Sequence, residues 1–136
     1  MPGWGTGSFE NEGAQNWLVQ LKTLSAVDLR NIFSAVDAIN YISASDASVV
    51  VAAAEVVATL KGAPAQSIPR EIEDWLDMNA ETPSLNDTAR RLLCAQARHA
   101  VNRVRASSEL KDLWLEADGL NEWSAGLREL EQRLAD

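Results

Sequence analysis

The chain has 136 residues, 46% of them hydrophobic and 24% charged, with 20 acids against 12 bases. That length suits one domain, and the apolar fraction is too high for a disordered chain. A net charge of −8 and a pI near 4.6 disfavour nucleic acid and anionic lipid as partners. One cysteine and one histidine exclude a disulfide framework and the usual zinc and iron ligand sets, so no metal or cofactor is expected.

The start, from Met1 to Ser8, has neither a basic region nor an apolar one, so no secretory signal is expected there. The most apolar stretch, Val49 to Ala58, is interrupted by Glu55. It is about half the ~20 residues needed to cross a bilayer. A cytoplasmic protein that does not insert into membranes is the expectation.

Helical spacing recurs along the chain, and strand alternation does not. Asn11 can cap a first helix with Ala14, Trp17, Leu18, Leu21 and Leu24 on one face. Ser25 and Asp28 fit a capping box opening a second helix, which carries Leu29, Ile32, Phe33, Val36 and Ile39 and ends near Tyr41. So short a connection predicts that these two form an antiparallel hairpin. Residues 47–60 are apolar nearly all round, with Ser48, Glu55 and Thr59 on one thin polar line. This is the expected central, largely buried helix, opening at Ser45 or Asp46 and ended by Gly62 and Pro64.

Pro69 suits the start of a fourth helix, to about Asn79, with Ile72, Trp75, Leu76 and Met78 inward. Ser84 and Asp87 fit another capping box, before a long helix to about Ala106. On a wheel of about 100° per residue, Leu93, Ala97, Ala100, Val101 and Val104 share one of its faces, and Arg91, Arg98, Asn102 and Arg105 the other. Ser108 can cap a short helix with Leu110, Leu113 and Trp114, stopped at Gly119. Asn121 can cap the last, on which Trp123, Leu127, Leu130 and Leu134 repeat. The fold expected is a single all-α domain over residues 1–136, a bundle of about seven helices with residues 1–10 as a glycine-rich arm packed on it.

The opening Trp4-Gly5-Thr6-Gly7-Ser8-Phe9-Glu10-Asn11-Glu12, followed by Ala14 and Trp17, resembles that of a bacterial family known as domain of unknown function 4259. Members begin with a Trp-Gly-x-Gly-x-Phe-x-Asn-Asp-x-Ala pattern. The run from Ala52 to Ala58 looks like the family's middle helix, and Ser108 to Trp114 with Glu122-Trp123 looks like its C-terminal part. The chain departs from the pattern at Glu12-Gly13, where the family has an acidic pair, and at Asn16, where an acid is common. The resemblance implies a small helical protein and brings no established activity.

Gly3, Gly5 and Gly7 precede a helix start, where backbone N–H groups attract anions. Nucleotide loops, however, follow a strand, and the phosphate-loop type carries a Lys-Ser/Thr pair; neither occurs here. The motif residues Trp4, Gly5, Gly7, Phe9, Asn11 and Trp17 are therefore read as structural, with Trp4 and Phe9 holding the arm down. Trp17, Trp75, Trp114 and Trp123 sit on apolar faces and are expected in the core. Cys94 and His99 lie roughly 140° apart around their helix and cannot face a common point. Cys94 is expected as a small buried group and His99 at the surface.

Glu71, Asp74 and Asp77, with Glu73 and Glu81 nearby, form an acidic helical surface expected to face water. With Asp112, Glu116 and Asp118 they are the candidate partner-contacting residues. Glu55 comes from the most apolar helix and is read as a paired structural acid, or as the centre of a site between helices. Arg91, Arg98 and Arg105, with Arg90 and Arg103 beside them, are the one basic feature and candidates for binding an anion. The alternative is that they pair with the acidic helix just before them, packed antiparallel.

With no catalytic or cofactor signature, the first functional expectation is a non-catalytic acidic protein-interaction module. An inhibitor or immunity-type role against a basic toxin would use the acidic faces to steer and cap a cationic site. The alternatives are an enzyme or small-molecule binder around Glu55, and a homo-oligomeric structural protein burying the Trp114 and Trp123 helices between subunits.

Overall fold

The computed structural model describes residues 3, 5–79, 82 and 85–135. Among them the chain is all-α, with seven α-helices and no strand. They are α1 (Glu12–Gln20), α2 (Ala26–Asp37), α3 (Ala44–Lys61), α4 (Arg70–Asn79), α5 (Asp87–Ala106), α6 (Glu109–Glu116) and α7 (Leu120–Leu134). A 3-10 turn, Leu21–Thr23, prolongs α1.

Local chemistry sets most of the boundaries. Asn11 accepts from the Ala14 N–H at 2.8 Å to cap α1. The Ser25 N–H donates to Asp28 Oδ2 at 2.8 Å in the capping box that opens α2. Gly62, in the left-handed region at φ 96°, ends α3, and Ala63 N–H then reaches the Ala58 carbonyl at 2.8 Å. Ser108 accepts from the Lys111 N–H at 3.1 Å to open α6.

Four boundaries differ from the sequence reading. α2 ends at Asp37, short of Tyr41, because Ile39 to Ser43 turns the chain toward α6. There Ile42 bridges Ser108, and the Glu109 N–H donates to the Ile42 carbonyl at 2.8 Å. α3 is capped by Ser43, not Ser45 or Asp46, and the Glu109 carboxylate accepts from the Ala44 N–H at 2.8 Å. That long-range acceptor selects one start among several capable residues. α5 is capped by Asn86, which accepts from the Ala89 N–H at 2.9 Å; Ser84 lies outside the described residues. α7 begins after Gly119 rather than Asn121, since the chain there passes against the Trp114 ring.

α3 is the hub. Twelve of its 18 residues are buried, and it packs against each of the other six helices. Ala52, Ala53, Ala54 and Ala58 are wholly covered, and their small side chains let neighbouring backbones come close. One apolar cluster runs through every helix. α1 packs mainly on α3 and α2 mainly on α5, so the expected α1–α2 hairpin does not form. α4 lies on the 3-10 turn, α1 and α3 rather than on α5. Trp75 sets this position, with its Nε1–H donating to the Leu24 carbonyl at 2.9 Å. Met78 is 69% exposed, because the face made by Ile72, Trp75 and Leu76 turns it outward. No helix among the described residues is long and apolar enough to cross a membrane.

Candidate functional site

The segment before α1 wraps around one carboxylate. Glu10 Oε1 accepts from the Gly7 N–H at 3.1 Å, and a Cβ on Gly5 would stand 2.3 Å from Glu10 Oε2. A side chain at Gly5 would displace this carboxylate from the position it holds. Phe9 packs against the core, and its carbonyl accepts from Gln15 Nε2 at 2.8 Å. Asn11 caps α1 and Trp17 is buried. Trp4 lies outside the described residues.

From this arm Ser8 reaches into the bundle, donating from Oγ to Glu55 Oε2 at 2.6 Å. Arg133 of α7 meets the same carboxylate, Nη1 donating to Oε1 at 2.8 Å and Nη2 to Oε2 at 3.1 Å. Arg133 also donates from Nε to Glu129 Oε2 at 2.6 Å and from Nη1 to the Ala63 carbonyl at 3.2 Å. Burial works against the guanidinium charge, but the hydrogen bonds to Glu55 and Glu129 outweigh it and hold Arg133 above its ordinary pKa. Above the pair opens a cleft of about 580 Å³ between the arm, residues 65–67 and α7. Its polar walls include Glu10, Gln66, Ser67 and Glu129. With both Glu55 oxygens engaged, the trio braces arm, hub and last helix.

The described indoles are interior: Trp17, Trp75, Trp114 and Trp123 are all buried. Trp114 and Trp123 border a cavity of about 10 Å³ beneath the glycines, with no ionisable side chain in its lining. That is close to the space of one water.

The acidic candidates Glu71, Glu73, Asp74 and Asp77 all lie exposed on α4, in no ion pair among the described residues. Glu81 lies outside the described residues. Asp112, Glu116 and Asp118 are exposed on or just after α6. Asp112 accepts from the Tyr41 hydroxyl, a bond that, with slight desolvation and the charges of Asp112, Glu109 and Glu116, pushes Tyr41 up to about 12. α4 packs against α1 and α3, whereas α6 packs against α3, α5 and α7, so the acids form two separate groups.

The arginine line divides. Arg105 Nε donates to Glu131 Oε2 of α7 at 2.7 Å, the bond that raises its pKa. Arg98 is exposed in a shallow groove with His99, Asn102 and Glu131. Arg91 is exposed beside Lys61 and Arg90. The expected pairing of these arginines with α4 is absent among the described residues, because α4 does not pack on α5. Cys94 is buried, and exposed His99 meets Asp37 of α2 at 3.1 Å. The described residues hold no group of three His, Cys, Asp or Glu able to bind a metal.

The sequence reading did not single out Ser8, Arg133 or Lys61, and it placed Arg103 beside the arginine line without naming its partners. Lys61 donates to the carbonyls of Arg133 and Ala135, and Arg103 to those of Val36 and Ile39. Only the four-residue spacing of Glu129 and Arg133 was visible along the chain.

A family model described as Domain of unknown function (DUF4259) matches residues 3–126, and the chain belongs to that family. No curated protein and no solved structure matches it.

Proposed function

Starting from this family membership, which brings no activity with it, we propose that the chain is a non-catalytic acidic module that binds a basic protein. An inhibitor or immunity-type role against a cationic toxin is the form this takes. One asymmetry carries the reading. Lys61, Arg103, Arg105, Lys111 and Arg133 all donate to carbonyl or carboxylate oxygens of the chain itself. The α4 carboxylates Glu71, Glu73, Asp74 and Asp77 stand exposed and in no ion pair among the described residues. Several of the cations are thus tied to the chain's own oxygens, while these four acids face solvent. Such a surface steers a cationic partner and repels an anionic one, which raises the association rate more than it slows dissociation.

The test is co-purification with the product of the neighbouring gene, at low and high salt. Capture at low salt, lost at high salt and lost when the four α4 acids become amides, supports the proposal. No capture at low salt removes its basis.

A second reading, a small-molecule site around Glu55, draws on the cleft above the Glu55–Arg133 pair. Against it stands the engagement of both Glu55 oxygens. The oligomeric reading drew on Trp114 and Trp123, whose indoles the chain's own core already covers.

A further inference from the structure

The N-terminal arm stands between two spaces. Thr6, Gly7 and Ser8 line both the open cleft of about 580 Å³ and the enclosed cavity of about 10 Å³, and Leu127 of α7 completes the shared wall. The cleft holds Glu10, Glu55 and Glu129 with the single guanidinium of Arg133. The cavity is bordered by Val51, Leu110, Trp114 and Trp123. We propose that residues 6–8 are a gate, and that its opening joins the two spaces into one pocket for a methylated ammonium cation.

The gate is lightly held, and its release strands no charge. Ser8 Oγ donates to Glu55 Oε2 at 2.6 Å. When that bond opens, Glu55 keeps both bonds from Arg133, and the serine hydroxyl gains water. The Gly7 N–H is held by Glu10 of the same arm, so that bond can travel with the strip. The pivot is Phe9, which packs against the core while its carbonyl accepts from Gln15 Nε2 at 2.8 Å. Segments with few bonds and little apolar burial open locally while the rest of a fold stays intact.

The joined pocket selects its ligand by charge and by shape. Glu10 is in no ion pair among the described residues, and Arg133 alone offsets both Glu55 and Glu129. Glu55, already gripped by Arg133, serves as floor and needs no bond to the ligand. Indole rings attract a cation through their electron-rich faces and bring no charge of their own. A methylated ammonium satisfies both halves, its charge drawn by the carboxylates and its methyl groups by Leu110 and the indoles. A neutral molecule of the same shape gains the apolar half alone, and an anion is repelled. With the gate shut, a space of about 10 Å³ is too small for such a group, so the apparent affinity scales with the open fraction.

The experiment is a titration of the full chain with choline, and separately with its neutral carbon analogue 3,3-dimethylbutanol, at constant ionic strength, followed by NMR of the indole N–H groups. Choline is expected to give saturable shifts at Trp114 and Trp123, leaving Trp75, which borders neither space, unmoved. Ser8→Ala removes the latch and should tighten choline binding by about threefold or more. The neutral alcohol should bind more weakly to both proteins. Three outcomes overturn the proposal. These are no saturable shift at Trp114 and Trp123 in either protein, choline binding that Ser8→Ala leaves unchanged or weakens, and equal binding of choline and the alcohol.

Discussion

Arg133 grips Glu55 through two roughly parallel N–H···O bonds of 2.8 and 3.1 Å, joining residues 78 apart in sequence. The Glu55 side chain is 4% exposed and that of Arg133 15%, so water stabilises neither charge well. A desolvated pair of this kind is costly to break on one side and cheap to replace on both. Arg133→Met should lower unfolding free energy by about 3–5 kcal/mol in urea denaturation, and adding Glu55→Gln should recover most of that. A loss below about 1 kcal/mol in the single variant would mean that water reaches the carboxylate.

Tyr41, the only tyrosine, gives an isolated titration. Its hydroxyl donates to Asp112, which lifts its pKa from the ordinary 10 to about 12. The folded state therefore holds this proton more tightly than the unfolded chain. The stability contribution is complete below pH 10 and is lost as pH rises through about 12. Phenolate absorbance should show a midpoint near 12 in the native protein, moving toward 10 in Asp112→Asn. An unchanged midpoint in that variant would place the cause elsewhere.

Two glycines predict opposite signs. A Cβ on Gly119 would stand 2.5 Å from Cε3 of the buried Trp114 ring, which has nowhere to move. Gly119→Ala should cost about 1–3 kcal/mol by overpacking. A Cβ on Gly126, within α7, meets nothing within 4 Å. Gly126→Ala should therefore gain about 0.5–1 kcal/mol through helix propensity. Thermal unfolding of the two variants checks both signs.

Trp75 tests the seat of α4. Its indole N–H satisfies the Leu24 carbonyl at 2.9 Å, from a side chain only 1% exposed. Trp75→Phe keeps an aromatic ring but strands that carbonyl, and should cost about 1–3 kcal/mol. If the loss is negligible, the carbonyl has found another donor.

Much of the fold was legible because its causes are local. Asn11, the Ser25–Asp28 pair, Gly62 and Ser108 act within one turn of their own residues, and the helical spacing of Trp123, Leu127, Leu130 and Leu134 marks a buried face directly. What stayed hidden depends on distant partners. Ser43 prevails over Ser45 as a cap where Glu109, 65 residues away, holds the Ala44 N–H. The brace of Ser8, Glu55 and Arg133 spans nearly the whole chain, so spacing could mark Glu55 as unusual but not name its partners. The same limit applies to the arginines, whose fates depend on α7 packing against α5 where α4 does not.

The alanines of α3 carry a consequence for how such a chain can vary. Ala52, Ala53 and Ala54 are consecutive and wholly covered, so their side chains leave the axis in three directions, toward different neighbours. Enlarging any one of them must push a whole helix outward, and that helix also touches others. Tolerated changes there should therefore come as matched sets, with a gain in volume on the axle offset by a loss on the spoke it meets. Selecting folded members from a library randomised at Ala53 and its facing residues would expose that trade as covariation of side-chain size.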